Sequence, residues 1–97
     1  MTRIISGKAR GRRLTVPGSG TRPTADRVRE SLFATVDSRL RSDGREWGDT
    51  ATCDLWAGSG TVALEAWSRG SNRVLAVDKV RHAVEAISAN VTTVGAH

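Results

Sequence analysis

The stretch ATCDLWAGSGTVALEAWSRGSNRVLAVD, residues 51–78, decides the fold class of this chain. It starts with a short apolar run ending at Asp54, passes through a glycine turn at Gly58 and Gly60, and becomes an apolar helical segment. A second, almost wholly apolar run ends at Asp78. Strand, helix and strand at this spacing predict a right-handed βαβ unit with parallel strands. Because the strand segments are nearly continuous apolar runs, we expect helices to cover both faces of the sheet.

Three further segments surround this unit. Residues 4–6 and 12–16 are strand-like runs on either side of a glycine-bearing turn, which predicts a hairpin. A helix is predicted where apolar residues recur every four positions, with Arg29 among the charged residues of its other faces. A last helix is predicted from apolar residues at i, i+3 and i+7. The two apolar sets are Val28, Leu32, Val36 and Leu40, widened by Phe33, and then Val84, Ile87 and Val91.

The composition is that of an ordinary soluble globular protein, with 38% hydrophobic and 26% charged residues. No apolar run approaches the roughly 20 residues that span a bilayer, and the N-terminus lacks the apolar core of a secretory signal. We therefore expect a cytoplasmic protein. The single cysteine, Cys53, excludes an internal disulfide and is expected to be a small buried strand residue. No residue spacing indicates a metal site.

The positive charge is concentrated at one end of the chain. Residues 1–30 hold eight of the 15 basic residues but only two of the ten acidic ones, so this third of the chain carries the whole net charge of +5. Such an asymmetry is typical of a domain with a nucleic-acid-binding arm. A solvated basic face without a partner is the alternative that charge alone leaves open.

The two aspartates point to the kind of ligand. Asp54 and Asp78 each end a strand segment, and ligands of open α/β sheets bind outside the carboxyl ends of the strands. Glycines in the intervening turn let the backbone approach a ligand without a Cβ clash. An acid about 20 positions beyond such a turn is where the hydroxyls of a ribose are accepted. The arrangement therefore predicts an adenosine-containing ligand.

Two adenosine ligands fit this pattern. Residues 58–63 match the dinucleotide fingerprint G-x-G-x-x-A, which would place a pyrophosphate at the helix N-terminus. Asp54 beside that turn would repel the pyrophosphate, whereas it would attract the ammonium and sulfonium groups of S-adenosylmethionine. The sign of the charge favours S-adenosylmethionine. A third interpretation, in which the two acids only cap helices or bind water, stays open at this point.

The segments RIISGKARGRRLTVP, TRPTADRVRESLF and DLWAGSGTVALEAWSRG resemble, in this order, the N-terminal half of the bacterial small-subunit (16S) ribosomal RNA guanine-N2 methyltransferases. The resemblance implies a class I, S-adenosylmethionine-dependent, Rossmann-like α/β fold. It divides the chain into a basic N-terminal hairpin extension, residues 1–20, and the N-terminal half of the methyltransferase domain, residues 21–97. The implied cofactor contacts are Asp54, Trp56, Ala57, Gly58, Ser59, Gly60 and Asp78.

The resemblance also implies contacts to ribosomal RNA at basic positions. These are Arg10, Arg12, Arg13, Arg22 and Arg27. Arginine suits this role because its planar guanidinium binds phosphate through paired donors and stacks on unpaired bases. Arg22 and Arg27 have a structural alternative as helix-surface ion pairs, for instance with Glu30.

The chain departs from the family at the catalytic motif, which is an asparagine or aspartate followed by two prolines and an aromatic residue. Pro17 and Pro23 are the prolines of this sequence and are not adjacent, so no catalytic residue can be named. The family also continues for about as long again beyond His97. We therefore expect the chain to be inactive alone, with an unpaired sheet edge that self-associates or binds a missing C-terminal half. A non-catalytic RNA-binding module and a dinucleotide-binding oxidoreductase fragment are the alternatives.

Overall fold

A computed structural model of the chain describes residues 2–16 and 26–96. In these ranges three α-helices alternate with two strands, and a short 3-10 turn precedes the first strand. The elements, in order, are α1 (Asp26–Ser42), the 3-10 turn (Trp47–Asp49), β1 (Ala51–Asp54), α2 (Thr61–Arg69), β2 (Arg73–Ala76) and α3 (Arg81–Val94). None of the helices within the described ranges is long and apolar enough to cross a bilayer.

The two strands form the parallel pair that the sequence predicts. The register runs from Ala51 opposite Arg73 to Asp54 opposite Ala76. One further hydrogen bond, from the Val77 amide to the Asp54 carbonyl at 2.8 Å, continues the ladder beyond the strand ends. An α/β fold with a parallel sheet is therefore confirmed. In the described part of the chain β1 pairs with β2 and with no other strand.

Helix α2 packs on one face of this sheet and forms the centre of the molecule. Gly60 starts the helix in the left-handed region, at φ 86°, and Gly70 ends it at φ 118° with its amide on the last carbonyls of the helix. Ala63, Leu64 and Ala66 on this helix are fully buried. Alternate residues of both strands are half-buried, and Val74 and Ala76 share an apolar cleft with α2 and α3.

The other face of the sheet is open among the described residues, so the expected covering on both faces is wrong. Leu75 is 59% exposed, and Leu55 and Val77 are exposed beside it. Cys53, which pairs with Leu75 in the register, is exposed as well, which corrects its expected burial. The physical reason is that α2 and α3 both lie on the opposite side of the two strands.

The N-terminal segment folds back on itself, but the expected hairpin is reduced to one antiparallel bridge between Arg3 and Arg13. Ile4 and Leu14, the neighbours of that pair, are buried in a core cluster with Leu64 of α2. The segment also binds α2 through its backbone. A Cβ on Gly7 would lie 2.0 Å from the Ser68 carbonyl oxygen, so only glycine allows this approach. The end of the predicted extension, residues 17–20, lies outside the described residues.

Helix α1 presents a different face to the core than the apolar stripe predicts. Arg29, expected on a polar face, is fully buried at 0% exposure, whereas Val28 and Leu32 are exposed. The cause is Glu65 of α2, a fully buried carboxylate whose Oε1 lies 3.7 Å from the Arg29 Nε. A second arginine, Arg69, donates from Nε to Glu65 Oε2 at 2.9 Å. Buried charges need this kind of pairing, and it outweighs the apolar stripe of the helix.

Glu65 also fastens the N-terminal segment to this charge cluster. Its two carboxylate oxygens accept the backbone amides of Ile5 and Ser6 at 2.8 and 3.1 Å. Arg29 in turn donates to the carbonyl of Arg3 and, at 3.0 Å, to Asp26. The N-terminal extension, α1 and α2 are therefore joined by one buried network of hydrogen bonds and ion pairs around Glu65 and Arg29.

Candidate ligand site at the glycine turn

The two predicted acids lie at the same edge of the sheet. Asp54 is the last residue of β1, and Asp78 follows the end of β2 by two positions. The turn between β1 and α2 approaches them because Gly58 and Gly60 adopt positive φ angles of 58° and 86°. The Gly60 amide closes the turn on the Ala57 carbonyl at 2.8 Å. A ligand at this edge would meet both carboxylates and the backbone of the turn.

Asp78 is bonded directly to the glycine turn. Its Oδ2 accepts the Gly58 amide at 2.9 Å, and its Oδ1 accepts the Val80 amide at 2.9 Å. These bonds, that to Val80 first and that to Gly58 next, hold the pKa of Asp78 below its ordinary value of 3.8. The carboxylate is therefore ionised at neutral pH, and its two oxygens offer about four acceptor sites in all, more than the bonds to Gly58 and Val80 use. Asp78 does not cap α3, because Val80 is the N-cap residue of that helix and no side chain makes a cap hydrogen bond there.

Asp54 and Trp56 form the other side of the site. Asp54 is half-buried, and its Oδ1 accepts the Trp56 amide at 3.2 Å. Trp56, two residues after Asp54, is 84% exposed. An exposed indole beside a carboxylate offers a flat apolar surface and a negative charge to the same ligand.

Ala57 and Ser59 have a different position in the turn. Both are buried, and the Ala57 amide donates to the Val77 carbonyl at 3.0 Å. They shape the turn from inside the protein. Because their side chains are buried, Ala57 and Ser59 could contact a ligand only through backbone atoms.

Asn90 of α3 is a residue of this site that the sequence did not single out. It is fully buried, and its Nδ2 donates to the Ser59 carbonyl at 2.9 Å and to the Thr15 carbonyl at 2.8 Å. Its Oδ1 accepts the Thr15 amide at 2.7 Å. One side chain thus joins the glycine turn to the N-terminal extension.

The buried face of α3 explains why Asn90 was missed. The apolar residues at the predicted spacing are only partly buried, and Val84 is exposed. The face that packs inward carries Ala83, Ala86 and Asn90 instead. A single amide in line with two alanines at i, i+3 and i+7 is the signal that could have identified it.

The arginines predicted to bind RNA do not form one equivalent set. Arg10 and Arg13 are exposed on the extension, and Arg27 is exposed on α1, where no ion pair of the described residues joins it to Glu30. Arg12 is used within the fold, since its Nη2 donates to the Thr93 carbonyl near the end of α3. Arg22 lies outside the described residues. No group of three or more potential metal ligands exists in residues 2–16 and 26–96.

Comparison with known proteins gives the family. The sequence matches the family described as conserved hypothetical protein 95 over residues 2–97. The chain belongs to this family. A relative in Escherichia coli (strain K12), the ribosomal RNA small subunit methyltransferase D, is 39% identical over 95 residues. That alignment covers 97% of this chain and 44% of the relative.

Two further relatives agree. A Bacillus subtilis (strain 168) protein, YlbH, whose name proposes an rRNA methyltransferase, is 38% identical over 92 residues, covering 94% of this chain and 46% of the relative. A solved structure of a hypothetical protein from Thermus thermophilus superimposes with a TM-score of 0.82 at 38% identity. It covers 98% of this chain and 51% of that one. The resemblance to small-subunit rRNA methyltransferases is confirmed, and the chain spans about half the length of the relatives it matches.

Proposed function

We propose that this chain supplies the cofactor-binding part of an S-adenosylmethionine-dependent methyltransferase that acts on small-subunit ribosomal RNA. The observation that supports it best is the ionised Asp78 carboxylate, which lies at the end of the second strand and bonds to the Gly58 amide of the glycine turn. The relatives named as small-subunit rRNA methyltransferases add the reaction class and the substrate. The fold proposed with this function is a partial class I methyltransferase fold.

The side chains at the glycine turn fit this cofactor. Asp78 is ionised and can accept the two hydroxyls of a ribose, as an acid at the end of the second strand does in Rossmann-like sites. Asp54 would attract the ammonium group of the methionine part. Trp56 presents an exposed ring that can cover the ligand. The cofactor, when bound, supplies a methyl group on a positively charged sulfur.

A dinucleotide fits the same turn less well. Its pyrophosphate would lie at the start of α2, where backbone amides favour anions. Two carboxylates at that edge, Asp54 and Asp78, oppose it, and their repulsion grows as the site closes and water leaves. An RNA-binding module without cofactor is the second candidate, because Arg10 and Arg13 are exposed on the extension whether or not the turn binds a ligand.

The reaction proposed is methyl transfer to the exocyclic N2 amine of a guanine. No residue among those described is assigned a catalytic role, and the relatives are about twice as long as this chain. We therefore expect the chain alone to bind cofactor but to transfer no methyl group to ribosomal RNA, as measured with labelled cofactor. A cytoplasmic location is part of the proposal.

Isothermal titration with S-adenosylhomocysteine tests the cofactor site. The unsubstituted chain should bind, and Asp78→Ala should weaken binding at least about tenfold, because an ionised partner of two hydroxyls is lost. Asp43→Asn, which removes an exposed acid after α1, is the control and should bind normally. Binding of NADH in place of S-adenosylhomocysteine would refute the assignment. RNA binding without binding of S-adenosylhomocysteine would favour the RNA-binding module.

A further inference from the structure

The bridge in the N-terminal extension places two arginines directly opposite each other. Arg3 and Arg13 are the bridge partners. The hydrogen bonds flanking them run from Ile4 to Arg12 and from Leu14 to Thr2, at 3.0 and 2.9 Å. This is the non-hydrogen-bonded type of antiparallel pair, in which the two side chains lie closest. Both side chains point away from the core, because the neighbouring Ile4 and Leu14 point into it.

Within residues 2–16 and 26–96 no carboxylate forms an ion pair with these two arginines, and residues 17–25 contain no aspartate or glutamate. Like charges directly opposite each other destabilise a sheet pair. The bridge therefore places two arginines directly opposite each other at a cost in stability, and no ion pair among the described residues offsets it.

The backbone under the pair is fixed by the interior of the protein. The buried Arg29 donates to the Arg3 carbonyl, and the amides of Ile5 and Ser6 are bound by Glu65. Two other basic side chains of the extension have partners: Lys8 lies 4.2 Å from the ring centroid of Trp67, and Arg12 caps α3. Arg3 and Arg13 differ from Lys8 and Arg12. Their backbone is fixed by the bridge, but their guanidinium groups form no ion pair among the described residues.

We infer that Arg3 and Arg13 together bind one phosphodiester group of the RNA substrate. Two parallel guanidinium forks can surround a phosphate from two sides, and the phosphate would remove their mutual repulsion. The inference rests on the proposed RNA methyltransferase function and adds Arg3, which the charge pattern alone did not distinguish. Arg12 differs from this pair, because its guanidinium already donates to the Thr93 carbonyl of α3.

The test uses fluorescence anisotropy with a short labelled RNA hairpin, titrated between about 50 and 200 mM salt. Arg3→Gln and Arg13→Gln should each weaken binding about tenfold and lower the salt slope by about one. The double variant should weaken binding little more than either single one, since both share one phosphate. Arg73→Gln, which removes the same charge from the start of β2, is the matched control and should change binding little.

A second readout separates this role from a structural one. Each of the two glutamine variants should melt about 1–4 °C higher than the unsubstituted chain, because repulsion is removed while the fold is kept. Arg3→Lys, which keeps the charge but not the fork, should recover only part of the affinity.

Unchanged RNA affinity in both single variants overturns the inference. If the same variants lose binding to polyglutamate, the pair is assigned to an acidic protein surface instead of RNA. Absence of RNA binding by the unsubstituted chain overturns it too. Titration with S-adenosylhomocysteine in the same variants distinguishes the two proposals. The affinity for S-adenosylhomocysteine should be unchanged in these variants. If the unsubstituted chain fails to bind it, only the proposed cofactor site is contradicted.

Discussion

Replacing Asn90 should separate the N-terminal extension from the glycine turn. Asn90→Ala removes three hydrogen bonds, of 2.7 to 2.9 Å, that join α3 to Thr15 and Ser59. Ser59 is 2% exposed, so its carbonyl loses its partner where water cannot easily replace it, which costs about 1–3 kcal/mol. Thr15 is exposed, so each of its two bonds contributes only about 0.5–1 kcal/mol. The sum is about 2–5 kcal/mol.

That loss is large compared with the whole stability of a small domain, which is about 5–15 kcal/mol. Urea denaturation should therefore show a clearly lower midpoint, and hydrogen exchange should show a loss of protection at the Thr15 amide. Asn72→Ala, at an exposed asparagine before β2, is the matched control and should stay within about 0.5 kcal/mol. Asn90→Asp keeps the acceptor for the Thr15 amide but places a charge against two carbonyls, so it should be no better than alanine.

The reasoning would be refuted if Asn90→Ala lost less than about 1 kcal/mol and left the Thr15 amide protected. Such a result would mean that the apolar contacts of the extension and its hydrogen bonds to Glu65 and Ser68 hold it without Asn90. A loss of stability with unchanged exchange at Thr15 would instead place the effect at the turn.

Three other predictions concern separate features of the fold. In urea denaturation, Gly7→Ala should destabilise the chain by more than Gly11→Ala. A Cβ at position 7 would lie 2.0 Å from the Ser68 carbonyl oxygen, whereas no atom would lie within 4 Å of a Cβ at position 11. Equal losses of stability would contradict the close approach of Gly7 to Ser68. The pKa of Asp78 is lowered in the folded chain, so its contribution to stability is present above its ordinary pKa of 3.8 and is lost as pH falls through the folded value. Asp78→Asn should flatten the fall of the urea midpoint in acid, and an unchanged pH profile would count against this. Leu75→Lys on the open sheet face should reduce concentration-dependent self-association, measured by sedimentation. The free energy of unfolding should fall by no more than about 0.5 kcal/mol. If self-association persists, the surface through which the chains associate lies elsewhere.

The order of the elements could be predicted because its signals are local. The glycine turn, the apolar runs and the acids at their ends all lie within residues 51–78, and the structure places Asp78 on Gly58 as the spacing suggests. Period and turn chemistry act over a few residues, so one sequence contains them in full.

The wrong expectations all depend on distant partners. Arg29 is buried because Glu65 lies against it, and no periodicity within α1 can indicate a carboxylate on another helix. The apolar composition of the strands suggested two covered faces, yet Leu75 is open on one of them. An apolar residue indicates that its burial is favourable, but it does not indicate which segment of the protein covers it. Glu65 was the available signal, since it is the one acidic residue in the apolar helix α2.

The extension is part of the folding unit even though it has almost no regular secondary structure. Its backbone amides are bound by side chains of the two helices that flank the turn: Glu65 and Ser68 on α2, and Asn90 on α3. Side chains that satisfy backbone groups in this way replace the ladder that a longer hairpin would have provided. A polar network of this kind specifies one position, because a shift of the extension would take from the buried Glu65 the amides of Ile5 and Ser6. The basic extension and the sheet edge with Asp54 and Asp78 therefore have a fixed relative geometry, which the proposed methyl transfer to RNA would require.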